Sequence, residues 1–136
     1  MNDTISKEII LKKEIESVWN AITKQEELST WFIKADFKAE EGYNYKFTSL
    51  NGDCDDVIRG VVKKATPYTL VYTWIIEGFE NVETLVEWNL ESISEGTRLT
   101  VKHSGISKYQ GENAAKMFEN FSGGWDNCVL ELSKYL

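Results

Sequence analysis

The sequence predicts an α+β protein: a curved antiparallel sheet of six to seven strands around one long C-terminal helix, with two short helices after the first strand. Three observations carry this. From Glu112 to Leu136, the residues Ala114, Phe118, Phe121, Trp125, Val129, Leu132 and Leu136 recur at spacings of three and four, which places them on one stripe of a helix. Cys128 sits at the edge of that stripe, and Glu112, Lys116, Glu119, Asn127, Glu131 and Lys134 take the opposite face. Most of the preceding chain alternates apolar with polar residues, as strands do. The turns between those segments are short, so consecutive strands pair antiparallel. A lone amphipathic helix after many strands must bury its stripe on a sheet.

Taken in order, Ile5 to Leu11 reads as a strand with Ile5, Ile9 and Leu11 on one face. Ile15, Val18, Trp19 and Ile22 then mark a short helix. Thr23 followed by Glu26 has capping-box spacing, which starts a second short helix running to Trp31, with Leu28, Trp31 and Phe32 as its buried contacts. Both Trp19 and Trp31 are expected to be largely buried. Tyr43, Tyr45 and Phe47 alternate with Asn44, Lys46 and Thr48 in a strand after the turn Glu40-Glu41-Gly42. Asn51-Gly52 is a tight hairpin signal. Val57 to Ala65, Leu70 to Ile76, Val82 to Glu91 and Thr97 to Ser104 are further strands, separated by Pro67, Glu77-Gly78 and Ser94-Glu95-Gly96. Ser107 with Gln110 has the spacing of a second capping box just before the long helix.

The 136 residues are expected to form one domain, 1–136, with 42% hydrophobic residues and a mean hydropathy of −0.36. No apolar run is long enough to span a bilayer, and Met1-Asn2-Asp3-Thr4 lacks the marks of a signal peptide, so a cytoplasmic location is expected. A net charge of −7 argues against nucleic acid and anionic membrane as partners. Cys54 and Cys128 stand far apart and read as free thiols. With His103 the only histidine, a zinc site of the usual kind cannot be assembled. Asp53, Asp55 and Asp56 lack calcium-loop spacing and read as a solvated turn. No glycine-rich phosphate-binding motif occurs. No metal and no cofactor are therefore expected.

The ordered motifs Val18-Trp19-Asn20-Ala21-Ile22-Thr23, Leu28, Trp31-Phe32, Gly60-Val61-Val62, Pro67, Leu70 to Trp74, Gly96-Thr97-Arg98-Leu99-Thr100 and Gly124-Trp125 followed by Leu132 resemble a known family. They are similar to the heat-shock-protein-90 ATPase activator homologue branch of the START-like, or SRPBCC, superfamily, which includes the birch-pollen allergen. The resemblance implies a helix-grip fold whose space between helix and sheet is often an apolar cavity. It implies ligands such as lipids, sterols, polyketides or plant-type aromatics, with cyclases and hydrolases among related members. It also implies a chaperone partner, because the eukaryotic activator stimulates the chaperone's ATPase.

From strand alternation, Tyr45, Phe47, Tyr72, Trp74, Trp88 and His103 are the candidate ligand-binding residues of the sheet. The helical stripe adds Phe118, Phe121 and Trp125. Aromatic stripes of this kind also simply pack a core. His103 is the one candidate general base that titrates near neutrality, against the alternative of a half-buried histidine bonded to a backbone carbonyl. Arg59 and Glu87 read as solvent-facing. Gly123-Gly124 is locally costly in a helix, about 1 kcal/mol per glycine relative to alanine, and suggests close packing or a kink that frees the first half as a lid. Three functions follow as expectations: binding of a small hydrophobic molecule between sheet and helix, a co-chaperone-like interaction, and a cyclase or hydrolase using His103.

Overall fold

The computed structural model describes residues 4–31, 34–48, 57–76, 81–109 and 112–136. The order is β1 (Ile5–Leu11), α1 (Ile15–Thr23), α2 (Gln25–Trp31), β2 (Lys34–Asp36), β3 (Asn44–Thr48), β4 (Val57–Thr66), β5 (Thr69–Ile76), β6 (Thr84–Ile93), β7 (Gly96–Ser104), a 3-10 turn Ile106–Lys108, and α3 (Glu112–Tyr135). The seven strands form one antiparallel sheet in the order β1-β7-β6-β5-β4-β3-β2. Among the described residues only the β1–β7 pairing joins strands distant in sequence, and it brings β1 to one edge of the sheet, where α3 meets it. This is the helix-grip arrangement.

The core lies between the sheet and the helices. Along β5, β6 and β7 the residues of one parity are buried: Leu70, Tyr72 and Trp74, then Thr84, Val86 and Trp88, then Thr97, Leu99, Val101 and His103. Register stacks them in rows, with Trp74 opposite Thr84, and Tyr72 opposite Val86, itself opposite His103. Edge strand β1 aligns Ile5, Lys7, Ile9 and Leu11 with His103, Val101, Leu99 and Thr97. Lys7 therefore faces inward, a position at which edge strands often carry a charge.

Several expectations are corrected. The three-residue strand β2 was not anticipated; it makes the sheet seven-stranded. The second helix starts at Gln25, but not on a capping box. Thr23 closes α1, and its hydroxyl donates back to the Trp19 carbonyl at 2.6 Å. Trp31 is buried and its indole donates to the Ala21 carbonyl at 2.8 Å, tying α2 to α1. Trp19 is only half-buried, because it packs edge-on against Tyr68 at the rim of the sheet rather than beneath it. The reading of Gly123 and Gly124 as a close-packing contact is also wrong: a Cβ built on either would meet nothing within 4 Å. The turns at Asn51-Gly52 and Glu77-Gly78, the residues Phe32, Asp53, Cys54, Asp55, Asp56 and Gln110, and the side chain of Ala114 lie outside the described residues.

Candidate functional site

Strand alternation aims an aromatic surface at α3. Tyr45 and Phe47 of β3 lie 4.7 Å apart between ring centroids, and Tyr72 is 5.0 Å from Tyr45. Trp74 is ringed by Phe47 (6.2 Å), Tyr72 (6.5 Å), His103 (5.4 Å), Phe121 (6.4 Å) and Trp125 (5.5 Å). Trp88 meets Trp125 edge-on at 5.7 Å. Eight of the nine candidate residues thus form one continuous set of touching rings. Phe118 packs against the same core from α3 without a ring partner among the described contacts. Phe37 joins the set beside Tyr45, Phe47 and Tyr72. It was missed, although Ala35 and Phe37 alternating with Asp36 and Lys38 is a strand-like signal.

The β4–β5 pairing is irregular beside this surface, with a register shift between Val62 and Lys64. Paired register between β4 and β5 stops after Arg59–Ile75 and resumes at Val62–Tyr72. In the gap the Val61 N–H donates to the Thr73 hydroxyl at 2.8 Å, and the buried Tyr45 hydroxyl donates to the Thr73 carbonyl. Tyr45 stands opposite Gly60, where an added Cβ would come within 2.2 Å of the Thr73 carbonyl oxygen. Only glycine fits there, because β5 fills the space a side chain would need.

Polar groups inside this surface are consumed by one another. Trp125 Nε1 donates to His103 Nδ1 at 3.0 Å. An indole nitrogen only donates, so Nδ1 carries the lone pair and Nε2 the proton. Nε2 therefore donates to Thr84 Oγ1 at 2.7 Å, and Thr84 donates onward to the Trp74 carbonyl at 3.2 Å. The expected backbone-carbonyl partner of His103 is replaced by this side-chain relay. Its second member, Thr84, sits a strand away and was not anticipated. Burial lowers the His103 pKa to about 3, so the imidazole is neutral across the physiological range. The Trp88 indole donates to the Tyr72 hydroxyl at 2.9 Å. Burial pushes the hydroxyls of Tyr45 and Tyr72 and the thiol of Cys128 up, which keeps all three protonated. The set of touching rings is thus aromatic and uncharged. One polar group within it has no partner: Trp74 Nε1, on a residue 5% exposed.

The helix covers this face unevenly. Trp125, Cys128 and Leu132 are buried, whereas Met117, Phe118 and Phe121 are only half-buried. Gly123 and Gly124 separate the two sets, both exposed. Lys7 Nζ reaches across that joint from β1, donating to Ser122 Oγ at 2.9 Å and pairing with Asp126 at 3.0 Å. Arg59 is exposed, as expected; Glu87 is half-buried and accepts from the Asn89 side chain at 2.6 Å. Open grooves occur elsewhere: about 510 Å³ between Lys12–Glu16 and Ser92–Gly96, and about 380 Å³ on the outer face beside Arg59 and Gly60. Both are open to solvent, and the first is lined largely by charged and polar residues, so the buried aromatic face is the better candidate. Among the described residues no cluster of His, Cys, Asp and Glu could hold a metal ion, and no helix is long and apolar enough to cross a membrane.

Comparison with known proteins places this geometry. The family model described as activator of Hsp90 ATPase homolog 1-like protein matches residues 12–136. No curated protein matches. Among solved structures, one of a Mesorhizobium loti protein superimposes with a TM-score of 0.84 at 23% identity, covering 97% of this chain and 95% of that one. The solution structure of a Bacillus halodurans protein gives 0.79 at 28% identity, covering 98% and 96%. DynU16, from the dynemicin biosynthetic locus, gives 0.83 at 24% identity; the match covers 99% of this chain but only 47% of DynU16.

Proposed function

The chain belongs to the activator of Hsp90 ATPase homolog 1-like family, and we propose that it acts as a binding module for a small apolar or aromatic molecule held between the sheet and α3. One observation carries the reading: the helix closes this aromatic face with buried side chains beyond Gly124, but before Gly123 the described cover is only the half-buried Met117, Phe118 and Phe121. A purely structural core would gain from a fully buried cover. In the ligand-free chain the rings touch, so a ligand enters by displacing that cover, and Gly123-Gly124 is the natural joint. The ligand is lipid-, polyketide- or flavonoid-like, held among Tyr45, Phe47, Tyr72, Trp74, Trp88 and His103 of the sheet and Phe118, Phe121 and Trp125 of the helix. Its site would have a volume of roughly 300–1,000 Å³, as is usual for such ligands. Affinity is micromolar, about −8 kcal/mol, because apolar contact dominates.

Native mass spectrometry of the purified protein tests this by detecting a small molecule that travels with it. Tryptophan fluorescence gives a second reading, since Trp74, Trp88 and Trp125 would touch the ligand. No co-purifying molecule, and no fluorescence change with hydrophobic aromatics well above micromolar concentration, overturn the proposal. The chaperone reading is favoured by the family description. It predicts a faster ATPase of a purified Hsp90-type chaperone, and no change at saturating protein sinks it. Acid–base catalysis by His103 is disfavoured, because both imidazole nitrogens are already engaged.

A further inference from the structure

One ammonium fastens the glycine joint of α3 to the edge of the sheet. Strand alternation turns Ile5, Lys7, Ile9 and Leu11 to the inner face, in register with His103, Val101, Leu99 and Thr97. Among the inward positions of β1, β5, β6 and β7, Lys7 alone carries a charge. Its side chain is only 21% exposed. Nζ donates to Ser122 Oγ at 2.9 Å and pairs with Asp126 at 3.0 Å. Ser122 and Asp126 are four residues apart, so they stand one above the other on one side of α3. Gly123 and Gly124 lie between them, and a Cβ on either would meet open space. The ammonium therefore bridges the joint. One contact is on the half-buried cover, and the other is on the anchored half, where Trp125 is bonded to His103.

The two contacts differ in kind. Asp126 is 64% exposed, so its attraction to Lys7 is screened and weak by itself. Ser122 is half-buried, and its hydroxyl accepts from a charged donor, which makes the stronger class of hydrogen bond. Bending at the glycines would carry Ser122 away and leave Asp126 in place. The ammonium then keeps a carboxylate beside it and is not stranded against apolar groups. Opening breaks the Ser122 bond along with the apolar contacts of Met117, Phe118 and Phe121, and closing restores it. A charge that only guards a sheet edge needs no partner on either side of a helical joint.

We infer that Lys7 is the latch of the cover: its bond to Ser122 sets how often the first half of α3 opens, and so how fast a ligand enters and leaves. This rests on the binding reading above and adds the regulation of that site.

Two variants test it. Lys7→Met keeps the apolar stem and removes the donors, and Ser122→Ala removes the acceptor on the cover alone. In the free protein, amide exchange over residues 115–122 should quicken about fivefold in each variant, the weight of one partly solvated hydrogen bond, and stay unchanged over 125–135. Alanine is the better helix former, so a helix governed only by its own propensity would exchange more slowly in Ser122→Ala. Stopped-flow tryptophan fluorescence with ethylnaphthalene as the probe gives the second readout. Entry and exit should speed up by the same factor and leave the dissociation constant within about twofold, because the latch closes over the free and the occupied site alike. Unchanged exchange over 115–122 in both variants, or slower exchange in Ser122→Ala, overturns the inference. A weaker dissociation constant with unaltered entry also overturns it, since Lys7 would then be part of the binding wall. Faster exchange with no binding of the probe leaves the latch standing and removes the binding reading instead. Should Lys7→Met not fold, Ser122→Ala decides alone.

Discussion

The two halves of α3 share one amphipathic pattern but make different contacts with the sheet. Beyond Gly124, the helix sinks Trp125, Cys128 and Leu132 into the core and is bonded to β7 through the Trp125–His103 hydrogen bond. Before Gly123, the described side chains Met117, Phe118 and Phe121 are all only half-buried, and Lys7 supplies a tether through Ser122. The second half behaves as part of the core and the first half as its cover. The same spacing of apolar residues therefore serves two purposes, and burial, not periodicity, tells them apart.

The largest effect expected from this difference is in stability. Leu132 is fully buried, so Leu132→Ala should cost about 2–5 kcal/mol, whereas Phe118→Ala, whose ring is already partly in water, should cost about 1–2 kcal/mol. Urea denaturation of the two variants makes the measurement; equal losses would erase the distinction between the halves.

A smaller effect concerns the histidine that anchors the second half. The unfolded chain protonates His103 near 6.5, but the folded chain resists until about 3. Between those values the unfolded state binds the extra proton, so stability falls as the pH falls. His103 contributes at most about 1.4 kcal/mol per pH unit over that window and nothing above it. His103→Gln should flatten the dependence between pH 6.5 and 4. An unchanged slope would mean that the imidazole is already charged or exposed in the fold.

The smallest effect is a gain. Because a Cβ at Gly123 or Gly124 meets open space, replacing either with alanine should stabilise the protein by about 0.5–1 kcal/mol. Destabilisation would reveal a contact of the joint that the geometry does not contain.

Much of the fold was legible because it is written in local periodicity. Alternation in β3, β5, β6 and β7 picked out Tyr45, Phe47, Tyr72, Trp74, Trp88 and His103 as sharing a face, and that face exists. What escaped was either too short or non-local. β2 has only three residues, too few for the alternation around it to stand out. The inward direction of Lys7 is implied by its parity with Ile5 and Leu11, but its partners Ser122 and Asp126 lie more than a hundred positions away. The Trp125–His103–Thr84 relay depends on register across two strands and the helix, which no single segment encodes. Trp19 sat on a valid helical stripe, yet the stripe runs past the sheet's rim. The cost of the glycine pair was visible in sequence, whereas the open space around it was not.

If the first half of α3 is a cover that opens to admit a ligand, amide hydrogen exchange resolved along the helix, with and without ethylnaphthalene as a hydrophobic aromatic probe, tests it most directly. Residues 115–122 should exchange markedly faster than 125–135 in the free protein, and the probe should slow 115–122 and the β5 segment around Trp74 while leaving 125–135 unchanged. Uniform exchange along α3, with no segment slowed by the probe, would contradict a cover of this kind.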